Sequence, residues 1–548
     1  MYHKKELSKL LLQISVIITL LITSNFIFKR IDFTRDKRYT LSNDTEKILS
    51  NLKGSIEIEV FLDGDFPANF KELQRETHYI LDEIKLKNKK ISYKFINPSK
   101  ENMIDSLVKL GVSPTRIQIE EKDSYKELLI FPYAIGKYKS KRILIPLLTE
   151  KIGIAPEEQI NISIENLEYA FINSLSLLTQ QKKKSIGILT HHDELDPIRF
   201  SSFMESASAY YNVFPIIPRN GKSLSNDDLS DFKKLDGIVV AKPLYPFSDE
   251  DKVVLDQFVM RGGKMLWMID NINAEMDSLY VKDKILAYPI DLNLTDLFFS
   301  YGLRLNSLLI KDLQGSILRL ATGNLGGNTQ YSNFIWPYSP MVFPQVENPI
   351  TKNINPVKLE FCSPIELLQN TQLKQTVLYS SSPKTAIKSP MSNISLEELS
   401  KPEDPALYNV GNIPLAVLLE GNFKSAYAQR IERKLVKNFT PSIAKNKMIV
   451  ISDGDIGKNQ VQESKPLPMG YDKWINQTFG NGQFLMNCLD YLLNENGILT
   501  LRNKEFKEVA LNKIILRANK PKYYFINFIL PLLFIFLTGF TLIRLRRK

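Results

Sequence analysis

The chain has 548 residues, a formal net charge of +11, two cysteines and four histidines. That length exceeds one core and asks for about two or three domains. With no Cys-x-x-Cys pair and no concentrated basic face, the composition excludes a disulfide scaffold, thiolate zinc sites and a nucleic-acid-binding body.

Leu10 to Phe28 and Tyr523 to Ile543 are uncharged stretches of 19 and 21 residues. At about 1.5 Å per residue, each reaches roughly 30 Å and is long enough to cross a bilayer. Lys4, Lys5 and Lys9 precede the first stretch; Arg544, Arg546, Arg547 and Lys548 follow the second. Six of the eleven net charges therefore sit in these tails. Basic flanks stay cytosolic, so the expectation is two spans, both termini in the cytoplasm of a bacterial inner membrane, and a periplasmic body. Lys-Arg-Ile-Asp after Phe28 lacks a cleavage signature, which favours an uncleaved anchor. Asn527, Thr538 and Gly539 are the polar and small residues of the second span, suited to contact a partner helix.

The expected divisions are 1–29 (tail and first span), 30–181, 182–520, and 521–548 (second span and basic tail). In the first domain Ile56, Ile58, Val60 and Leu62 mark a strand, and Phe70, Leu73, Thr77, Leu81 and Ile84 a helix. A strand over 91–96 ends at Asn97-Pro98, and a helix over 101–110 stops at Gly111. Short strands follow at 116–121, 127–135 and 142–147, then a long helix over 160–178. This β-α-β-α-β-β-α order fits a thioredoxin-like scaffold without the redox motif.

Lys182, Lys183 and Lys184 open the second domain. Strands are predicted at 186–189, 213–217, 236–241, 264–269, 413–419 and 448–452, with helices at 198–210, from Ser248 to Gly262-Gly263, and at 484–493. Ser248 with Asp251 reads as a capping box. Strands alternating with helices imply a mainly parallel α/β sheet. An irregular insertion is expected near 320–410, with Gly323–Gly327 as a loop, an aromatic, proline-rich segment over 333–344, and an exposed excursion over 383–410. Cys488 shares a helical face with Phe484, Leu485, Leu489 and Leu492, as a core thiol would.

Polar groups follow three of these strands directly. His191, His192, Asp193, Glu194 and Asp196 follow Leu189; Asp270 follows Ile269; Asp453 and Asp455 follow Ser452. Open α/β sheets bind ligands at their C-terminal edge, so His192, Asp193, Glu194, Asp270, Asp453 and Asp455 form a candidate ligand rim. The alternative is that these groups cap strands and solvate loops. No metal site is assigned, because adjacent His-His lacks the i, i+4 spacing of a helical metal motif. His78 reads as a boundary residue of its helix. P-loop and nucleophile-elbow motifs are missing, so no catalytic residue and no cofactor are expected.

Taken in order, several short motifs carry a resemblance. They are Arg38-Tyr39-Thr40-Leu41-Ser42, Ile96-Asn97-Pro98, Ile186-Gly187-Ile188-Leu189-Thr190 with His192 and Glu194-Leu195, Gly262-Gly263, Tyr301-Gly302 and Ser452-Asp453-Gly454-Asp455. The chain resembles the auxiliary, substrate-binding components of gliding-motility-associated ABC transporters. The resemblance implies a non-enzymatic subunit, partnered by a permease and a separate cytosolic ATPase. It also implies a middle domain of class I amidotransferase-like fold without the catalytic cysteine. The family carries glycines after the Ile186 strand, whereas this loop has none. A metal-dependent or hydrolytic envelope enzyme, and a purely structural scaffold, remain the alternatives.

Overall fold

The computed structural model describes residues 14–16, 19, 40–100, 103–109, 112, 114–121, 124–149, 151, 153–180, 183–344, 347–401, 404–494, 498–503, 517 and 519–546. Most of the first apolar stretch, both basic flanks other than Arg544 and Arg546, Arg38-Tyr39, Gly111 and Lys182 lie outside the described residues. Residues 39–504 form one compact unit, and 1–38 with 505–548 the other.

In the larger unit, β1 (Ile56–Val60) is joined to the parallel β2 (Ile91–Phe95) through helix α1 (Ala68–Lys87). Strands β3 (Thr115–Glu121) and β4 (Ser124–Ile130) make a separate hairpin. Strands β5 (Tyr133–Tyr138) and β6 (Lys141–Pro146) complete a four-stranded sheet of order β2-β1-β5-β6. The single strand predicted over 127–135 is thus two strands in two sheets. Pro132 lies at the break, where a residue without an N–H cannot continue a ladder. Helix α2 (Pro156–Thr179) starts with Pro156 at its first position and buries Leu167, Phe171, Ile172 and Leu175.

A seven-stranded sheet follows. Its strands are β7 (Ser185–Leu189), β8 (Asn212–Ile216), β9 (Gly237–Ala241), β10 (Lys264–Met268), β13 (Leu373–Ser380), β14 (Pro414–Lys424) and β15 (Ser442–Ile451), in the order β13-β14-β15-β10-β9-β7-β8. Strands β15, β10, β9, β7 and β8 run parallel, and β14 runs against its neighbours. Successive side chains leave opposite faces, so each buried strand feeds two cores. Val239, Ala241, Leu266, Met268, Ile449 and Ile451 pack with Phe200 and Phe203 of α3 (Pro197–Tyr210) and with Phe484, Leu485 and Cys488 of α5 (Asn481–Leu493). Ile238, Val240, Met265, Trp267, Met448 and Val450 pack with Val253, Val254 and Phe258 of α4 (Asp249–Met260). Burying one such aliphatic or Phe side chain is worth about 1.5–3 kcal/mol, which explains why these strands are near-continuous apolar runs.

The region from 300 to 410 is more regular than its composition suggests. Strands β11 (Gly315–Leu325) and β12 (Asn328–Val342) form one long hairpin. The expected loop shrinks to Gly326 and Gly327, with φ of 59° and 86°, because a two-residue type I′ turn needs positive φ at both positions. The aromatic segment is strand, and its Trp336 and Tyr338 are buried. The pairing skips from Trp336 to Pro340, passing over Pro337, which has no N–H to donate. The expected excursion supplies Thr385–Lys388 and Ser392–Ser395, which pair with Leu309–Asp312 and with residues of Lys284–Pro289. Asp312, wholly buried, accepts from the Ser382 backbone N–H at 2.7 Å and the Ser382 hydroxyl at 2.5 Å, and so pins this return.

In the other unit, Lys520–Leu545 is a 26-residue helix whose most apolar 18-residue stretch has a mean hydropathy of 2.3, long and apolar enough to cross a membrane. It contains a π turn at Phe525–Ile529, ending two positions before Pro531. The proline ring removes the N–H owed to the Asn527 carbonyl, and a widened turn accommodates that loss. The Thr538 hydroxyl is satisfied inside its own helix, 2.9 Å from the carbonyls of Phe534 and Ile535. Back-bonding to the preceding turn meets the hydroxyl's hydrogen-bond demand within the helix. Asn527 is exposed, and a side chain at Gly539 would meet nothing within 4 Å.

Candidate functional site

The rim of polar strand ends resolves into two clusters. Strands β7, β9, β10 and β15 are parallel, so the residues that follow them emerge on one edge of the sheet.

The first cluster is built on Lys242, directly after β9. Its backbone is left-handed, with φ of 55°, a conformation that costs a residue with a side chain about 1–2 kcal/mol. The Lys242 ammonium contacts Glu275, lies 2.5 Å from Asp455 Oδ2, and lies 3.3 Å from Asp270 Oδ2. Burial opposes its charge, but Asp455, Asp270 and Glu275 outweigh burial and raise its pKa. Lys458 adds a second cation, 3.0 Å from Glu275 Oε2 and 3.3 Å from Asp455 Oδ1. Burial disfavours the Asp455 carboxylate, yet the two lysines hold its pKa below the ordinary value.

Asp453 differs from its neighbour. Its oxygens accept from the backbone N–H groups of Glu360, at 2.9 Å, and Asp455, at 2.7 Å. Burial, then repulsion from Asp270 and Asp455, drives its pKa well above the ordinary value. Burial also pushes Asp270 up. Gly454 makes the approach feasible: a Cβ there would lie 2.7 Å from Lys242 Cγ and 3.0 Å from Asp270 Cγ. The Gly454 N–H donates to Asp270 Oδ1 at 2.5 Å.

Asp453, Asp455 and Lys458 line a cleft of about 230 Å³. Lys358, also lining it, is 3.1 Å from both Glu360 and Asp472, and these carboxylates raise its pKa against the effect of burial. Asn481, at the start of α5, fixes the Lys358 backbone by accepting from its N–H at 3.0 Å and donating to its carbonyl at 2.7 Å. Exposed Tyr280 and Trp474 add aromatic surface, with ring centroids 6.2 Å apart. Ionised groups of both signs and aromatic faces are what a polar solute would meet there.

The second cluster lies beyond β7. His191 Nε2 is 3.1 Å from Asp251 Oδ1, and His192 Nε2 is 3.8 Å from Asp251 Oδ2. Asp251 closes the capping box of α4: its Oδ2 accepts from the Ser248 hydroxyl at 2.6 Å, and its Oδ1 accepts from the Leu224 N–H at 2.7 Å. Ring stacking on Phe247, with centroids 3.7 Å apart, buries His192. Burial, with His191 adding to it, pushes the His192 pKa down to about 4.

The predicted rim residues therefore divide. Asp270, Asp453 and Asp455 come together around Lys242. His192 turns to Asp251 and Phe247 instead. Glu194 accepts from the His192 N–H at 2.8 Å, and burial raises its pKa. Asp193 joins neither cluster: it is exposed at a left-handed turn with φ of 55°. Asp196 serves as the N-cap of α3, accepting from the Ile198 N–H at 2.8 Å. Both cysteines are buried, and burial raises their thiol pKa values well above normal.

Sequence reasoning missed Lys242, Glu275 and Lys458, and it saw Asp251 only as a cap. Lys242 was findable, because it follows the strand over 236–241 as directly as Asp270 follows the next one. Glu275 and Lys458 lie farther into loops and carry no such signal.

Comparison with known proteins matches residues 183–488 to a family described as "ABC-type uncharacterized transport system". Residues 35–137 match a domain of unknown function, DUF7088. An uncharacterized protein of Borreliella burgdorferi is 24% identical over 519 residues, covering 92% of this chain and 90% of that protein. Among solved structures, the N-terminal domain of mmIFT52 aligns over 56% of this chain and 97% of its own length, at 10% identity and a TM-score of 0.32. A putative ThuA-like protein from Parabacteroides merdae covers 61% of this chain and 94% of its own length, at 11% identity and a TM-score of 0.26. Superpositions this loose carry no argument about fold or function.

Proposed function

The chain belongs to the ABC-type uncharacterized transport system family, and from that premise we propose that it is a non-enzymatic, substrate-binding auxiliary subunit of an ABC transporter. The observation that carries the binding role is the cleft where Asp453, Asp455 and Lys458 meet Lys358 at the C-terminal edge of the sheet. The close pairing of Asp455 with Lys242 and Lys458 favours a fixed electrostatic surface over a proton-transfer centre. The buried cysteines, with raised thiol pKa values, are poor nucleophiles.

The subunit is held by two spans, with both termini cytoplasmic and the body periplasmic. The apolar helix Lys520–Leu545 and the basic flanks support this reading. Its partners are a permease and a separate cytosolic ATPase, since the sequence has no P-loop of its own. The short motifs from Arg38-Tyr39-Thr40-Leu41-Ser42 onward favour the gliding-motility branch. The β2-β1-β5-β6 order supports a thioredoxin-like first domain, and the parallel core of the larger sheet an amidotransferase-like second one.

Purification in mild detergent tests the assignment. A permease and an ATPase copurify if it is right, and their absence from the preparation removes it. Protease added to spheroplasts digests the body and spares tags at either end; a protected body overturns the topology. Replacing residues 523–543 by an unrelated polyleucine span weakens complex recovery if Asn527, Thr538 and Gly539 contact a partner helix. Unchanged recovery reduces that segment to an anchor.

A further inference from the structure

We propose that His191, His192 and Asp251 form a site for one divalent metal ion of the zinc class, at the end of β7 and the start of α4. One ligand atom from each residue lies within 4.8 Å of the others. The closest approaches to Asp251 oxygens, 3.1 Å from His191 and 3.8 Å from His192, bracket the spacing of ligands around tetrahedral zinc, about 3.3 Å for bonds near 2.0 Å. Adjacency in sequence argued against a shared helical motif. The loop removes that objection, because it is not helical and brings both rings to Asp251 with centroids 4.1 Å apart.

A second observation separates this arrangement from an ordinary helix cap. His192 is only 3% exposed, and its Nε2, although aimed toward Asp251, is buried with no hydrogen-bond partner. His191 Nδ1 is likewise buried and unpartnered. A buried polar atom left in this state is destabilising, and a bound ion at His192 Nε2 would remove that cost. The ring is already aimed. Phe247 stacks on it, and the His192 carbonyl accepts from the N–H groups of Leu244, at 2.8 Å, and Tyr245, at 3.1 Å. Asp251 is held just as firmly by Ser248 and Leu224.

Two imidazoles and one carboxylate are a borderline donor set. It suits zinc, and it disfavours calcium and magnesium, which ask for oxygen ligands. Three protein ligands leave the fourth position to water or another small ligand.

The test uses the full chain in detergent, stripped with chelator, reloaded with zinc sulfate, desalted and measured by mass spectrometry for bound metal. One zinc per chain is expected. The variants H192Q and D251N lose at least about tenfold in zinc affinity by calorimetry, while H78Q, altered far from the site, keeps the parental value. D251N retains one oxygen for the Ser248 N–H of the capping box. Circular dichroism of each zinc-free variant reports whether it has folded, and folded D251N alone suffices for the comparison. Cobalt loaded in place of zinc gives the visible bands of a tetrahedral site in the parent, and these weaken in D251N. Substoichiometric zinc in the parent, or equal affinity in folded D251N, overturns the proposal.

Discussion

The four-stranded and the seven-stranded sheets of the larger unit are built from similar strand and helix alternations, yet they treat charge in opposite ways. In the four-stranded sheet, Glu59 pairs with Lys137 and with Lys94 at 3.0 Å, and the Lys94 side chain is 53% exposed. Water screens the Lys94 end of the pair, so that bond adds little even though Glu59 itself is buried. In the seven-stranded sheet, Lys242 and Asp455 pair with side-chain exposures of 7% and 4%. There the attraction is strong and so is the desolvation cost, and removing one partner strands the other. The difference teaches that the second sheet commits ionic groups to one edge at a cost to stability. That is where a binding role is most economically placed.

Replacing Lys242 by Met tests the contrast most severely. Asp455, Asp270 and Glu275 lose their shared cation, so the chain in detergent loses about 3–5 kcal/mol of unfolding stability. A denaturation midpoint equal to the parent's removes the claim that this network is buried and coupled. Next in size is Gly454→Ala. The added methyl must displace Lys242 or Asp270, costing about 1–3 kcal/mol as other overpacked sites do. A silent substitution shows that the edge is looser than described. In the other sheet, Glu59→Gln costs less than Lys242→Met, because its partners Lys94 and Lys137 keep side-chain exposures of 53% and 29% and so stay hydrated when the charge is removed. A loss as large as that of Lys242→Met breaks the comparison.

The smallest effect is one of pH. His78 stacks on Phe95 with centroids 3.6 Å apart, and burial lowers its pKa below the ordinary 6.5. The unfolded chain then binds the proton more readily, so stability is greatest above pH 6.5 and declines as pH falls through that value toward the folded one. The His78→Gln variant loses that part of the decline. An identical pH profile in parent and variant shows that the stacking leaves the imidazole's titration unchanged.

Legibility followed the range of the interactions. The strand at 186–189, the helix opened by Ser248 and closed before Gly262, and the core face of Phe484, Leu485 and Cys488 were readable, because each rests on neighbours within a few residues. The β11–β12 hairpin was not. Its glycines and asparagines lower strand propensity, and cross-strand pairs such as Ile317 with Ile335 override that local preference. The candidate rim was half legible. Carboxylates at strand ends are visible in the sequence, but which cation each one meets is not.

The sequence by itself determined the apolar stretches, the alternation of strands and helices, and the acidic residues following β10 and β15. Those features depend on short-range periodicity and on composition. Only the tertiary structure decided that Lys242 meets Asp455, 213 positions along the chain, and that His192 faces Asp251 rather than the aspartates beyond β10 and β15. Ion pairing and desolvation act through a few ångströms of space, and the order of strands in the sheet, not their order in the chain, sets which groups come that close.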